Sequence, residues 1–442
     1  MYYGIRGFLT ADSFYFLATT ANLCYIQSVE RSGTLSCEPQ VRILGFFSLS
    51  GDYSYENGEE ESLKRQMMRV LFGLMGALLL LGGCGHETAK VRPMTQLEQI
   101  EQIIKRMPVE EKVGQLVMGG LPGVIIDTDT EELITRNHFG GFVLFDRNLK
   151  APEQVRALTS ALMRRNEEVQ REIDPHHPAL PLFIGIDEEG GQVVRFHDHL
   201  VPPPSEESLG KDEEPAKARV WAVKTAKALR SYGINLNFAP VLDLGLAPER
   251  SYSNDPAKVA MFGSAAAAGY AQEHFSFVVK HFPGIGKGKV DTHIGGTVVD
   301  TPIEKLAAED ILPFRNVLSG QFGGNCGVMV GHVTYAGIDK DRPASVSPAV
   351  ITGELRHKLA FDGVVFTDDI EMGAVAKKYD YETAAVMAIE AGADVVLVCH
   401  EYEHMEQAYQ GLMNAVAEGR ISQERLDASL RRIVRMKLSA HY

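Results

Sequence analysis

From Met94 onward the chain alternates short, apolar, β-branched runs with longer amphipathic stretches, and it does so eight times. No other feature constrains the fold as much, because a strand followed by a helix, repeated, returns each strand parallel to the one before it. The runs begin at Gln115 (QLVMG), Gly141 (GFVLF), Leu182 (LFIGID), Leu236 (LNFAP), Phe277 (FVVKH), Val328 (VMVGHV), Gly363 (GVVFTD) and Asp394 (DVVLV). Helix-like segments fall at 152–165, 215–231, 256–273, 303–318, 347–359, 381–391 and 403–418, with 423–437 left to close the ring. Eight strands with interleaved helices specify an α/β fold, a (β/α)8 barrel of the TIM type, as one catalytic domain over 93–442. With 45% of its residues apolar, the chain has enough to fill such a core.

Barrels of this kind place their chemistry at the C-terminal ends of the strands. Here the third strand ends in Asp187-Glu188-Glu189-Gly190-Gly191, the fourth leads to Asp243, the fifth runs into Lys280-His281, the sixth into His332 and the seventh into Thr367-Asp368-Asp369. One such residue alone is commonly a helix cap or a satisfied core histidine. Five strands carrying them at the same end mark a polar site.

Upstream of the barrel lies one strongly apolar window, 70–81, which follows Lys64, Arg65 and Arg69 and runs into Leu81-Gly82-Gly83-Cys84. A basic flank, an apolar stretch and small residues in that order read as a secretory signal, here 67–83, and the run is too short to span a bilayer comfortably. Cysteine directly after Leu-Gly-Gly resembles the bacterial lipobox, which implies lipidation at Cys84, a short tether over 84–92, and export to the periplasmic or cell-surface side of a membrane. Residues 1–66 carry no helical or strand periodicity and read as a disordered segment or an upstream extension of the gene, with translation starting at Met67 or Met68. Against 44 Lys and Arg stand 58 Asp and Glu, so the formal charge of −14 repels a nucleic-acid backbone. A neutral or cationic small substrate suits it better. Cys24, Cys37, Cys84, Cys326 and Cys399 show no CxxC or Cys/His spacing, so neither a disulfide framework nor a zinc site is read from them.

The most specific stretch is Lys280-His281-Phe282-Pro283-Gly284-Ile285-Gly286, followed by Asp291-Thr292-His293. Together with 186–196 (IDEEGGQVVRF), 366–372 (FTDDIEM), 140–148 (GGFVLFDRN), 239–243 (APVLD) and 329–333 (MVGHV), it resembles glycoside hydrolase family 3, in particular its single-domain bacterial β-N-acetylhexosaminidase branch. The resemblance implies a retaining exo-glycosidase that removes terminal β-linked N-acetylglucosamine, plausibly from peptidoglycan fragments, with neither metal nor organic cofactor. It implies Asp368 as the nucleophile that forms a glycosyl ester, and Asp291 with His293 as an Asp-x-His acid/base dyad on a mobile loop. Two positions apart in an extended loop, those side chains fall on one side, where the carboxylate can hold the imidazole. Asp187, Arg195, Arg250, Lys280 and His281 match family positions that bind sugar hydroxyls.

Simpler roles compete for several of these residues. Asp369, adjacent to the nucleophile and facing the other way, reads as the cap of the next helix. Arg195 also reads as a salt-bridge partner of Asp187, and His332 as either a pocket or a core histidine. Departures from the branch are Ile285 in place of a second histidine, Lys287-Gly288 in place of an Asp-Thr pair, and the altered surroundings of Arg250. Rival readings are a β-glucosidase of the same family, a non-catalytic lipoprotein that binds cell-wall sugar, and a metal-dependent barrel hydrolase using His281, His293, His332 and Asp368. The last normally opens with His-x-His on the first strand, where this chain has Gln-Leu-Val-Met-Gly. The sequence leaves the oligomeric state open.

Overall fold

The eight apolar runs become eight parallel strands that close on themselves, as their spacing requires. They are β1 (Val117–Gly120), β2 (Gly141–Leu144), β3 (Phe183–Ile186), β4 (Leu236–Asn237), β5 (Ser276–Phe282), β7 (Cys326–Val330), β9 (Val364–Asp369) and β10 (Val395–Val398). Neighbours in the barrel follow chain order, and β10 returns to β1 through the register Val117 to Val396. Two further short strands, β6 (Val298–Val299) and β8 (Thr334–Tyr335), pair with each other outside the barrel, so the loops after β5 and β7 are tied together at its mouth.

The computed structural model describes residues 67–72, 94–175, 179–246, 249–322 and 324–440. The chain divides into two units, Met1–Arg92 and Pro93–Tyr442, and the barrel is the second. Of the first, 67–72 are helical. Cys84, the expected tether and residues 73–83 of the expected signal lie outside the described residues. Among the described residues no helix is long and apolar enough to cross a membrane.

Most helices start where local chemistry dictates. Proline occupies the first turn of Pro152–Ile173, Pro215–Arg230 and Pro256–Gln272, where its fixed φ suits the helix and its missing N–H is not needed. Asp380 and Ser422 cap Tyr381–Ala391 and Gln423–Ser439 by accepting from the N–H groups of Thr383 and Arg425. The expected helix over 303–318 is broken in two, Ile303–Ala308 and Leu312–Leu318. Pro313 explains the break, since it cannot donate back into the preceding turn and enforces a new start. The segment expected as a helix over 347–359 winds instead as the wider π-helix Ala349–Lys358, ending with the Leu359 N–H on the Glu354 carbonyl. Several shorter helices escape the sequence reading, among them Gln96–Arg106 and Val109–Gly114 before β1, Thr128–Thr135 between β1 and β2, Glu206–Lys211 between β3 and β4, and Gly373–Ala376 after β9.

Inside the barrel the Phe366 ring packs edge-on against Phe183 and Phe238, with centroids 6.1 and 5.9 Å away. At the N-terminal end Lys437 is fully buried, donating to Gln115 Oε1 and the Gly140 carbonyl at 2.7 Å each beneath the Phe183 ring. On the same side, Asp394 at the foot of β10 ties sheet to helices. Its carboxylate accepts from the Val365 N–H at 2.9 Å, Ser429 Oγ at 2.7 Å, Arg432 at 3.1 Å and Arg356. Removing a buried carboxylate strands its cationic partners, so Asp394→Ala should cost about 3–5 kcal/mol of stability in chemical denaturation, with the far-UV spectrum unchanged below the transition.

Candidate active site

Polar residues converge on one cavity of about 460 Å³ at the C-terminal end of the strands. Its wall is built first by the turn after β3. Gly190 and Gly191 adopt φ values of 99° and 59°, and a Cβ at Gly190 would stand 2.4 Å from the Pro204 carbonyl oxygen, so only glycine fits. The turn sends the chain back past itself, where the Arg195 N–H donates to Glu188 Oε2 at 3.1 Å. Asp187 and Glu189 thereby face β5, and the Lys280 ammonium sits 2.6 Å from a carboxylate oxygen of each.

Lys280 and Glu189 are almost dry, with side-chain exposures of 3% and 2%. Burial by itself would raise the Glu189 carboxyl, but Lys280 and the two Arg250 hydrogen bonds, each 2.8 Å, outweigh it and hold the group at about 2. Burial likewise works against the charged form of Lys280, and Asp187 with Glu189 reverses the effect, so the ammonium titrates above its ordinary value. Asp187 is held low despite burial by Lys280 and by Arg195, which approaches to 3.5 Å. Arg195 also reaches Asp146 at 3.3 Å. Next to this cluster Glu188 is buried without a cation of its own, and desolvation pushes it up to about 7.

His281 lines the cavity with its Nδ1 2.7 Å from Asp243 Oδ2. Asp243 is fully buried and also accepts from the backbone N–H groups of His281 and Ile285, at 3.2 and 2.7 Å. This fixes both the imidazole and the start of the following loop.

Asp368 ends β9 and opens into the cavity. One carboxylate oxygen accepts from the Asp369 N–H at 2.9 Å. Burial would raise this carboxyl; His281, His332, the Asp369 N–H and Lys280 together hold it below its ordinary value, so it stays ionised. His332 proves to be a buried partner behind the site. Its Nε2 lies 2.8 Å from the Asp369 carbonyl oxygen, which only accepts, so Nε2 carries a hydrogen, and its Nδ1 lies 2.7 Å from the Ser345 hydroxyl. Burial lowers its pKa.

Asp369 does not cap the next helix as expected, because that helix starts at Gly373 with Met372 as its N-cap. It accepts from the Glu371 N–H at 3.1 Å, within a turn rather than at a helix start, and its other oxygen lies 3.1 Å from His400 Nε2. That bond raises the His400 imidazole above its ordinary value, and His400 lines the cavity beside Phe145, whose ring lies under Arg147. The carboxylates of Asp369 and Glu371 and the His400 ring lie close enough together to hold a cation. Glu371, however, is already committed to the His400 and Glu401 N–H groups and to His404.

Across the mouth, His293 Nδ1 stands 2.7 Å from Asp291 Oδ1, and the same oxygen accepts the His293 N–H at 2.9 Å. The two meet in a tight turn rather than in the extended loop expected from their spacing. Those bonds from His293 hold the Asp291 carboxyl low. Both side chains are exposed, 72% for His293 and 59% for Asp291, and both line the cavity. Their loop is fastened to the segment after β9, where Gly373 and Ala374 donate to the carbonyls of His293 and Thr292, and Lys377 Nζ to that of Ile294.

A family model for the glycosyl hydrolase family 3 N-terminal domain matches residues 108–436, the whole barrel apart from its first helix and last few residues. The chain belongs to glycosyl hydrolase family 3. It is 34% identical to a β-hexosaminidase of Alkalilimnicola ehrlichii over 306 residues, covering 66% of this chain and 82% of that protein. To β-hexosaminidase A of Pseudoalteromonas piscicida it is 31% identical, over 70% of this chain but 55% of that longer protein. Among solved structures, a family 3 β-N-acetylglucosaminidase from a Paenibacillus species superposes with a TM-score of 0.71 at 37% identity, over 75% of this chain and 62% of that one.

On this family 3 barrel every sequence-predicted pocket residue lines the same cavity: Asp187, Arg195, Arg250, Lys280, His281, Asp291, His293 and Asp368. The guanidinium of Arg250 is largely spent on Glu189, and Arg195 is both a cavity residue and the salt-bridge partner of Asp187. Sequence reasoning missed Glu189 and Asp243 as working groups and His400 altogether. The signal for Glu189 was its place in the Asp-Glu-Glu-Gly-Gly run; His400 follows β10 with no motif around it. Because folded Glu189 stays ionised to about pH 2, the unfolded chain takes up a proton near pH 4.5 that the native state refuses, and stability is lost as pH falls through that window. Glu189→Gln should lower the melting temperature at neutral pH, since Lys280 and Arg250 lose their counter-charge, yet flatten its decline between pH 4.5 and 2 in scanning calorimetry.

Proposed function

We propose that this chain is a retaining exo-glycosidase that removes terminal β-linked N-acetylglucosamine, with peptidoglycan fragments as its source. What carries the reading is the combination in one cavity of a strand-end carboxylate held ionised, Asp368, with a carboxylate-bound imidazole at the rim, His293. The acetamido sugar is favoured by the activities of this chain's relatives, a β-hexosaminidase and a β-N-acetylglucosaminidase.

In this reading the free oxygen of Asp368 attacks the anomeric carbon while the bond to the leaving oxygen breaks. Asp291 accepts the Nδ1 hydrogen of His293, which leaves Nε2 to deliver a proton to the departing oxygen. A glycosyl ester on Asp368 results. Water then attacks the same carbon, Nε2 takes back a proton, and the carboxylate is released with the anomeric configuration retained. The Asp187, Glu189, Lys280, Arg195 and Arg250 cluster and His281 present fixed acceptors and donors to the sugar hydroxyls, with no reorganisation needed at the moment of reaction. The same proposal includes export and anchoring through lipidated Cys84.

The test is hydrolysis of 4-nitrophenyl β-N-acetylglucosaminide beside the β-glucoside. The acetamido sugar should be preferred, Asp368→Ala should lose about 10³-fold or more in kcat, and His293→Ala about 10²–10⁴-fold. A glucoside preference overturns the sugar assignment, and an inverted product by NMR overturns the mechanism. Intact mass of the membrane-extracted protein should give an acylated N-terminus at Cys84; an unmodified one overturns the anchor.

A further inference from the structure

The loop that carries Asp291 and His293 is fixed over its first half and open over its second. Gly284 accepts the Tyr335 hydroxyl at 2.6 Å through its carbonyl, and the Ile285 N–H is held by Asp243 at 2.7 Å. A Cβ on Gly286 would stand 1.7 Å from the Leu244 carbonyl oxygen, so the backbone there is pressed against the loop after β4. Lys287 follows directly and carries the ionic contact of this stretch. Its ammonium lies 2.6 Å from Glu309 Oε2 and also pairs with Asp310, in the kink that Pro313 imposes between Ile303–Ala308 and Leu312–Leu318. Asp310 is fully buried, and its second carboxylate oxygen has no hydrogen-bond partner among the described residues, so Lys287 supplies the charge that makes that burial tolerable.

Beyond Lys287 the chain passes Gly288 and the exposed residues Lys289 and Val290 to reach the Asp291–His293 turn. On the far side, Gly295 and Gly296 have open space around them. Between Lys287 and those glycines, the Gly288 N–H donates to the Ile285 carbonyl and the Lys289 N–H to Thr297 Oγ1 at 3.2 Å, while the His293 turn itself is bonded to Gly373, Ala374 and Lys377, just after the strand that holds Asp368. The imidazole is therefore held on one side by the nucleophile's own segment and on the other by a stretch whose base is the Lys287 ion pair.

We propose that Lys287 is a positioning residue: its ion pairs with Glu309 and Asp310 fix the base of the loop and thereby the reach of His293 Nε2 to the leaving oxygen above Asp368. The inference rests on the acid/base role given to His293. A loosened base costs proton delivery and leaves the sugar-binding wall untouched, because Asp187, Glu189, Lys280 and Arg250 are held by other elements.

The experiment uses the full chain and two β-N-acetylglucosaminides, one of 2,4-dinitrophenol, which departs without a proton, and one of 4-methylphenol, which needs it. His293→Ala provides the reference and should fall steeply only on the methylphenyl glycoside. Lys287→Met should lose about 10-fold or more in kcat/KM on the methylphenyl glycoside, less than about 3-fold on the dinitrophenyl one, with little change in KM. Lys287→Arg, which keeps the ion pairs, should recover most of the loss, and Glu309→Gln, which leaves the Asp310 pair in place, should give a smaller loss with the same leaving-group dependence. Equal losses on both glycosides, or none, overturn the positioning role. If His293→Ala itself falls equally on both, the acid/base assignment fails first and the inference goes with it. Should Lys287→Met not fold, the Glu309→Gln and Lys287→Arg comparison decides.

Discussion

The mouth of this barrel is organised by one ammonium group. Lys280 sits 2.6 Å from both Asp187 and Glu189 in nearly complete isolation from water, an arrangement that is costly for any one of the three charges alone. It is sustained because the charges complete one another: Glu189 is shared with Arg250, Asp187 with Arg195, and each cation comes from a different segment. The turn after β3, the end of β5 and the loop after β4 are thus locked together by electrostatics rather than by apolar packing. The cavity wall is rigid for the same reason, since no member can move without stranding another in a low-dielectric setting.

Much of the fold was legible because strand and helix periods differ, and eight β-branched runs spaced by amphipathic stretches leave few alternatives to a closed parallel barrel. The legibility failed where local propensity was overruled. The stretch 303–318 has one continuous helical pattern, yet Pro313 divides it, and the division creates the buried Asp310 that Lys287 neutralises. The segment 347–359 reads as an ordinary helix, but it winds wider throughout Ala349–Lys358, where Thr352 Oγ1 also bonds the Ala391 carbonyl.

The site divides in the same way. Residues inside ordered motifs, such as Lys280, His281 and Asp368, were readable as a group. Glu189 and Asp243 were visible as acidic residues near strand ends, but that one pairs with Lys280 and Arg250 and the other holds His281 is a fact of three-dimensional distance. His400 had no signal at all: an isolated histidine after the last strand becomes part of the cavity because β10 pairs with β9, which brings it beside Asp369.

The exposure of His293 has a consequence for how protons are supplied. Asp368 is half-buried at the end of its barrel strand, whereas the imidazole stands with most of its surface in solvent. A group so placed exchanges its proton with bulk water and buffer directly, with no internal chain of hydrogen bonds to reload it between the two halves of a turnover. The protein thus combines a sheltered carboxylate, where charge is worth more, with a wet imidazole, where replenishment is fast, and the boundary between them runs through the substrate itself.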